Sequence, residues 1–86
     1  MDDELLKNYG YIISSSYREK SVRSLNKCDK IPTDLAKDIG IRTNHVSKVL
    51  RELKNRDIVE CINENKRKNR VYRLTQKGQD IARFMD

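Results

Sequence analysis

Hydrophobic and polar positions alternate with a helical period over much of the chain, most clearly between Thr43 and Arg56. There Val46, Val49, Leu50 and Leu53 fall at i, i+3, i+4 and i+7, so they share one side of a helix and leave Asn44, Ser47, Lys48, Arg51 and Asn55 on the other. Upstream, Leu35, Ala36 and Ile39 form a shorter stripe. It predicts a second helix with Thr33 as its N-cap and Asp34 favourably placed in its first turn. Gly40 ends that helix, because glycine takes the left-handed backbone conformation at little steric cost. Earlier still, Ser16 and Glu19 fit a capping box and Tyr17, Val22 and Leu25 recur at roughly helical spacing, which predicts a helix from about Tyr17 to Lys27. Pro32 lacks an amide donor and restrains Ile31 to an extended shape, so the helix stops before it and Ile31 is expected in a very short strand.

Downstream the pattern changes. Ile58 to Ile62 and Val71 to Leu74 are short β-prone runs on either side of the polar stretch Asn63 to Arg70, which predicts a hairpin with a long tip. Thr75 is placed to cap a last helix running through Ile81 to Phe84. At the other end the first eight residues are polar apart from Met1, Leu5 and Leu6, and Tyr9 to Ile13 reads as a short extended or irregular approach to the first helix. The expected organisation is an N-terminal segment, residues 1–13, as a candidate part of a dimer interface, followed by one domain over residues 14–86. The expected fold class is mainly α with a small β-hairpin (α+β): a winged helix-turn-helix with a three-helix core, a wing and a C-terminal helix.

The centre of that expectation is the agreement of Leu35, Ala36, Ile39, Gly40, Ile41, Val46 and Val49 with the spacing of a helix-turn-helix. Ala36 keeps the first helix thin where the second crosses it, Gly40 turns the chain, and Ile41 and Val46 fill the angle between the two. The run from Thr33 to Val59, followed by a basic hairpin and Leu74-Thr75-Gln76-Lys77-Gly78, resembles the winged helix-turn-helix transcriptional regulators of prokaryotes, with an archaeal cast. The resemblance covers about residues 17 to 85 and is to the superfamily that includes regulators of the MarR and ArsR type. It implies transcription control by operator binding. In this chain Arg42 stands where such proteins usually carry a Ser or Thr cap, and no long terminal helix is expected for a MarR-type dimer interface.

Charge sharpens this picture. The net charge is +6 and the sequence pI about 9.5, which favours a polyanionic partner through release of counterions from phosphates. From Arg42 to Arg73 there are ten Lys or Arg against four Asp or Glu, and the nine of each elsewhere cancel, so the whole excess lies in this stretch. An α-helix fits the major groove, where Lys and Arg donate to guanine and Asn pairs with adenine. The candidate recognition helix, about residues 43–56, therefore offers Arg42, Thr43, Asn44, His45, Ser47, Lys48 and Arg51, with the residues nearest its N-terminus best placed for base edges. His45 lies at the margin of this face. In the tip, residues 63–70, Lys66, Arg67, Lys68 and Arg70 suit a wing that runs along the backbone or enters the minor groove. Arg18, Lys20 and Arg23 are candidate phosphate contacts on the first predicted helix. An ordinary solvated face would instead pair Lys48 with Glu52 at i, i+4.

Other classes find less support. With charged residues at 37% and hydrophobic ones at 36%, 86 residues build one small core and no second domain. One histidine, no Gly-rich phosphate loop and no paired carboxylates beside a base leave no catalytic residues to assign, so no enzyme and no cofactor are expected. Cys28 and Cys61 stand 33 residues apart. That spacing suits neither a zinc site nor a disulfide scaffold, so both are expected as buried thiols in a reducing cytoplasm, with no metal bound. No run approaches the ~20 apolar residues of a membrane helix, and the acidic start is unlike a signal peptide. The expected partners are double-stranded DNA and a second copy of the chain, with no membrane and no small-molecule effector identifiable. The alternatives are a winged helix that contacts protein or RNA without operator specificity, and a sensor in which Cys28 or Cys61 responds to a metal or oxidant.

Overall fold

Seven elements follow one another in the computed structural model, which describes residues 2–85: helices α1 (Asp3–Ile13), α2 (Ser16–Lys27), α3 (Pro32–Ile39) and α4 (Thr43–Asn55), strands β1 (Val59–Cys61) and β2 (Tyr72–Leu74), and helix α5 (Gln76–Met85). Met1 and Asp86, the outer ends of the two expected segments, lie outside the described residues. The mainly helical fold with one hairpin agrees with expectation. Val22 of α2, Leu35 of α3, and Val46 and Leu53 of α4 are completely buried, and Ile58, Val59 and Ile81 close the same core from the hairpin and α5. Such burial contributes ~1.5–3 kcal/mol for each large aliphatic side chain and is the main term holding the fold together.

The turn between α3 and α4 is built as its residue types dictate. Gly40 sits at φ 74°, ψ 37° and its amide donates to the Ala36 carbonyl at 2.9 Å, ending α3 in the left-handed conformation. Ile41 N donates to the same carbonyl at 3.1 Å. Two details differ from expectation. Thr33 is exposed and caps nothing. The N-cap is Ile31, without a side-chain hydrogen bond, because Pro32 already occupies the first helical position, where its missing amide is no loss. The strand-like residue is Lys30 rather than Ile31: its amide and carbonyl pair with those of Tyr72 at 3.1 and 2.9 Å, adding a one-residue bridge beside the hairpin.

The N-terminal segment departs most. Tyr9 to Ile13 is not extended; it is the second half of α1. Asp2 caps this helix by accepting from Glu4 N at 2.9 Å, and Asp3 and Glu4 occupy the first turn, where they complement the helix dipole. Leu5, Tyr9 and Ile12 turn inward at i, i+4 and i+7, with Ile12 completely buried among the core residues. Tyr11 then locks the helix in place. The Arg18 guanidinium carbon lies 4.0 Å from its ring centroid and that of Arg56 3.9 Å, so the ring bridges α2 and the residue that ends α4. Lys77 of α5 reaches Glu4 at 2.7 Å on the same side of the molecule.

Smaller corrections concern α2 and the thiols. Its cap is Ser15, which accepts from Arg18 N at 3.3 Å, and not Ser16; Glu19 is thereby one position too far along to close a capping box and pairs with Arg23 at 3.1 Å. Tyr17 faces outward rather than into the core. Cys28 is exposed and Cys61 half-buried, so neither is the buried thiol expected, since Cys28 follows the last turn of α2 and Cys61 sits on the outer part of a two-stranded hairpin. Among the described residues no helix is long and apolar enough to cross a membrane.

The hairpin and α5 meet at one close contact. Thr75 Oγ1 donates to the Asp57 carbonyl at 2.6 Å and accepts from Gly78 N at 3.1 Å, so the expected cap of the last helix is present. Gly78 has no alternative here: a Cβ on it would lie 2.2 Å from the Ile58 carbonyl oxygen.

Candidate nucleic-acid interface

The two faces of α4 are sharply divided. Val46, Val49, Leu50 and Leu53 are buried, whereas Arg42, Thr43, Asn44, His45, Ser47, Lys48 and Arg51 are all exposed. The 3.6-residue period alone enforces this, because any rotation that exposed the polar set less would lift an aliphatic residue out of the core. Arg42 is the N-cap and makes no side-chain cap, and α4 has no acidic residue in its first turn. Its first amides and the positive end of its dipole are therefore available to an anion.

Within the chain these side chains make few contacts. Glu52 does not pair with Lys48. It meets Arg18 at 3.5 Å, and Lys48 and Arg51 are left without hydrogen-bonding or ion-pair partners among the described residues. His45 lies beside Tyr17 of α2, ring centroids 5.6 Å apart and tilted by 56°. Arg18, a candidate phosphate contact, is used internally instead: besides Glu52 and Tyr11's ring it donates to the Tyr11 carbonyl at 2.8 Å and to Ser14 Oγ at 2.9 Å. Of the other two candidates on α2, Lys20 is exposed and Arg23 is paired with Glu19.

The wing, residues 62–71, is an ordered loop. Asn63 organises it: its Oδ1 accepts from Val71 N at 2.8 Å, its Nδ2 donates to the Asn69 carbonyl at 3.1 Å, and its carbonyl accepts from Lys66 N at 3.0 Å. Asn69 takes φ 56°, a left-handed value that asparagine tolerates better than most side chains. The four expected wing cations divide into two kinds. Lys66, Arg67 and Lys68 are exposed at the tip. Arg70 turns back, donating through Nε to the Lys66 carbonyl at 2.7 Å and through Nη2 to the Glu64 carbonyl at 3.1 Å, so it shapes the loop that carries the others.

Wing and recognition face meet at a crevice that Ser47, Arg51 and Lys54 of α4 share with Arg70 and Tyr72 of the hairpin. Lys54, one of its lining residues, donates to Glu64 Oε1 at 2.5 Å, and Glu64 itself lies beyond the lining. This bond holds the Lys54 ammonium above its ordinary pKa and the Glu64 carboxyl below the usual carboxylate range, with Arg70 adding to the latter. Lys54, Glu64 and Tyr72 were not among the residues that the sequence singles out. Lys54 was legible, since it continues the row Ser47, Arg51 at i+7; the carboxylate and the tyrosine are not visible as partners until the hairpin folds back.

A helix-turn-helix whose second helix presents a polar, cationic face, followed by a hairpin standing beside that face, defines a winged helix-turn-helix protein. No family model matches the chain, and no curated protein matches it in sequence. Solved structures do share its fold. A mutant of Lactococcus lactis ZitR superposes with a TM-score of 0.74 at 19% identity over 83% of this chain and 49% of that one, so the chain spans about half its length. The same mutant in apo form gives 0.75 at 18% identity, over 99% and 70%. The homodimeric winged helix-turn-helix DNA-binding domain of Mycobacterium bovis Mb0332, a possible ArsR-family transcriptional regulator, gives 0.70 at 21% identity, over 98% and 80%. The expected resemblance to prokaryotic winged helix-turn-helix regulators thus holds at the level of fold.

Proposed function

We propose that this protein binds double-stranded DNA in a sequence-specific way and regulates transcription. In this reading α4 enters the major groove, where Thr43, Asn44, Ser47 and Lys48 read base edges and Arg42 and Arg51 hold phosphates. His45 sits at the edge of the contact. Lys66, Arg67 and Lys68 of the wing follow the backbone or the minor groove, and Arg70 acts by holding the wing's shape. The observation that carries the reading is the exposed outer face of α4, polar and cationic from Arg42 to Arg51, with the basic wing beside it.

The working unit in this reading is a homodimer, since one small winged helix contacts few bases and a two-fold pair reads two half-sites about one helical turn apart. Leu6 and Ile13 of α1 and Phe84 of α5 support it: each stays 44–49% exposed after the monomer core is complete. The Mb0332 domain, a homodimer of the same fold, supports it further. Selection from a random duplex pool tests the proposal. It is expected to enrich a palindrome, bound with an affinity that falls steeply with salt. A pool that emerges unenriched would contradict sequence-specific binding.

A further inference from the structure

The crevice between α4 and the wing measures about 290 Å³ and brings together the cations Arg51 and Lys54, the wing-shaping Arg70 and two hydroxyl-bearing side chains, Ser47 and Tyr72. Arg51 has no partner within the described residues, and the Arg70 Nε and Nη2 groups are turned to wing carbonyls. The remaining cation, Lys54, is occupied by Glu64, an exposed carboxylate on a wing whose other charged residues are all basic. A surface ion pair of this kind contributes little to stability and exchanges readily with another anion. Its position is the informative part: it holds a lysine on the row that Ser47 and Arg51 begin, at the edge of the face assigned to DNA.

We propose that this crevice is a seat for one phosphodiester of the bound duplex, with Arg51 and Lys54 as its cations, and that Glu64 is the internal carboxylate which the phosphate displaces from Lys54. The inference rests on the duplex-binding reading above. Tyr72 can donate a hydroxyl hydrogen bond to the phosphate oxygens, which ammonium and guanidinium groups hold by charge-assisted bonds. Glu64 then acts as a brake on binding that does not depend on sequence. In the free protein it neutralises Lys54, and each duplex must compete with it.

Glu60 supplies the control. It is a second carboxylate on the same hairpin, and it is paired across the strands with Arg73 at 2.9 Å, outside the crevice. Fluorescence anisotropy on a short mixed-sequence duplex at low salt is expected to show binding about 1.5- to 5-fold tighter by Glu64→Gln than by Glu60→Gln, the strength of one exposed ion pair, because only Glu64 must leave a cation of the seat before the phosphate enters. On a Lys54→Gln background the advantage disappears, whereas the small effect of Glu60→Gln persists. Circular dichroism is expected to show each variant folded, since these side chains are exposed. Equal gains from Glu64→Gln and Glu60→Gln, or a Glu64→Gln gain that survives loss of Lys54, would overturn the proposed seat while leaving duplex binding intact. A wild-type chain that binds no duplex at any salt would overturn the duplex-binding reading itself, and the seat with it.

Discussion

Gly78 leaves no room for a methyl group, since its Cβ would sit 2.2 Å from a backbone oxygen of Ile58 that cannot swing aside as a side chain would. Gly78→Ala is therefore expected to cost about 3 kcal/mol or more, read as a lowered urea midpoint. Thr75 is its neighbour in function, and Thr75→Ala should cost about 1–2 kcal/mol by removing the cap on Gly78 N and the bond to Asp57. Asp38 makes stability depend on pH. The Ser24 hydroxyl donates to its carboxylate and, with the charges of Lys27 and Lys30, outweighs desolvation and holds its pKa below the ordinary carboxylate value. A folded-state pKa that is depressed contributes stability above the ordinary carboxylate range and loses it as pH falls through the folded value. Urea midpoints of wild type and Asp38→Asn should accordingly differ near neutrality and converge in acid.

At the scale of elements, α1 carries more than its sequence suggests. Ile12→Ala is expected to destabilise the protein by about 3 kcal/mol in chemical denaturation, because the residue is completely buried against the main core rather than against a detachable arm. This helix was hard to read in advance. Gly10 and the β-branched pair Ile12 and Ile13 lower helix propensity locally, and Asn8, which lies buried on the inner face, breaks the apolar stripe. Its order comes from tertiary contacts, above all Tyr11 held between Arg18 and Arg56. By contrast α3, Gly40 and α4 were legible because packing, period and turn chemistry agree at each position. The caps slipped by small steps for local reasons: three consecutive serines, Ser14 to Ser16, offer similar acceptors around the start of α2, and Pro32 takes the position that makes Thr33 redundant. Most of the exposed α4 face was legible as well, since exposure on α4 follows from its period. The crevice was not, because pairing Lys54 with Glu64 depends on where a ten-residue wing returns.

For the whole molecule, the cationic excess gathers on α4 and the wing, where Ile62 is also exposed, while Leu6, Ile13 and Phe84 remain uncovered on the two terminal helices. Leu6→Glu and Phe84→Glu are expected to shift the proposed dimer toward monomer in sedimentation equilibrium without unfolding it, as both side chains are half exposed already; an unchanged mass would place the two-fold contact elsewhere. One set of salt titrations separates a sequence-reading α4 from a backbone-holding wing. Wild type, an Asn44→Ala/Lys48→Ala variant and a Lys66→Gln/Arg67→Gln/Lys68→Gln variant are titrated with a selected site and with a scrambled duplex. The α4 variant should lose about 1–3 kcal/mol of preference at each base it no longer contacts, and the wing variant should weaken both duplexes alike with a shallower salt slope. Indistinguishable behaviour of the two variants would mean that α4 and the wing do not divide the work in this way.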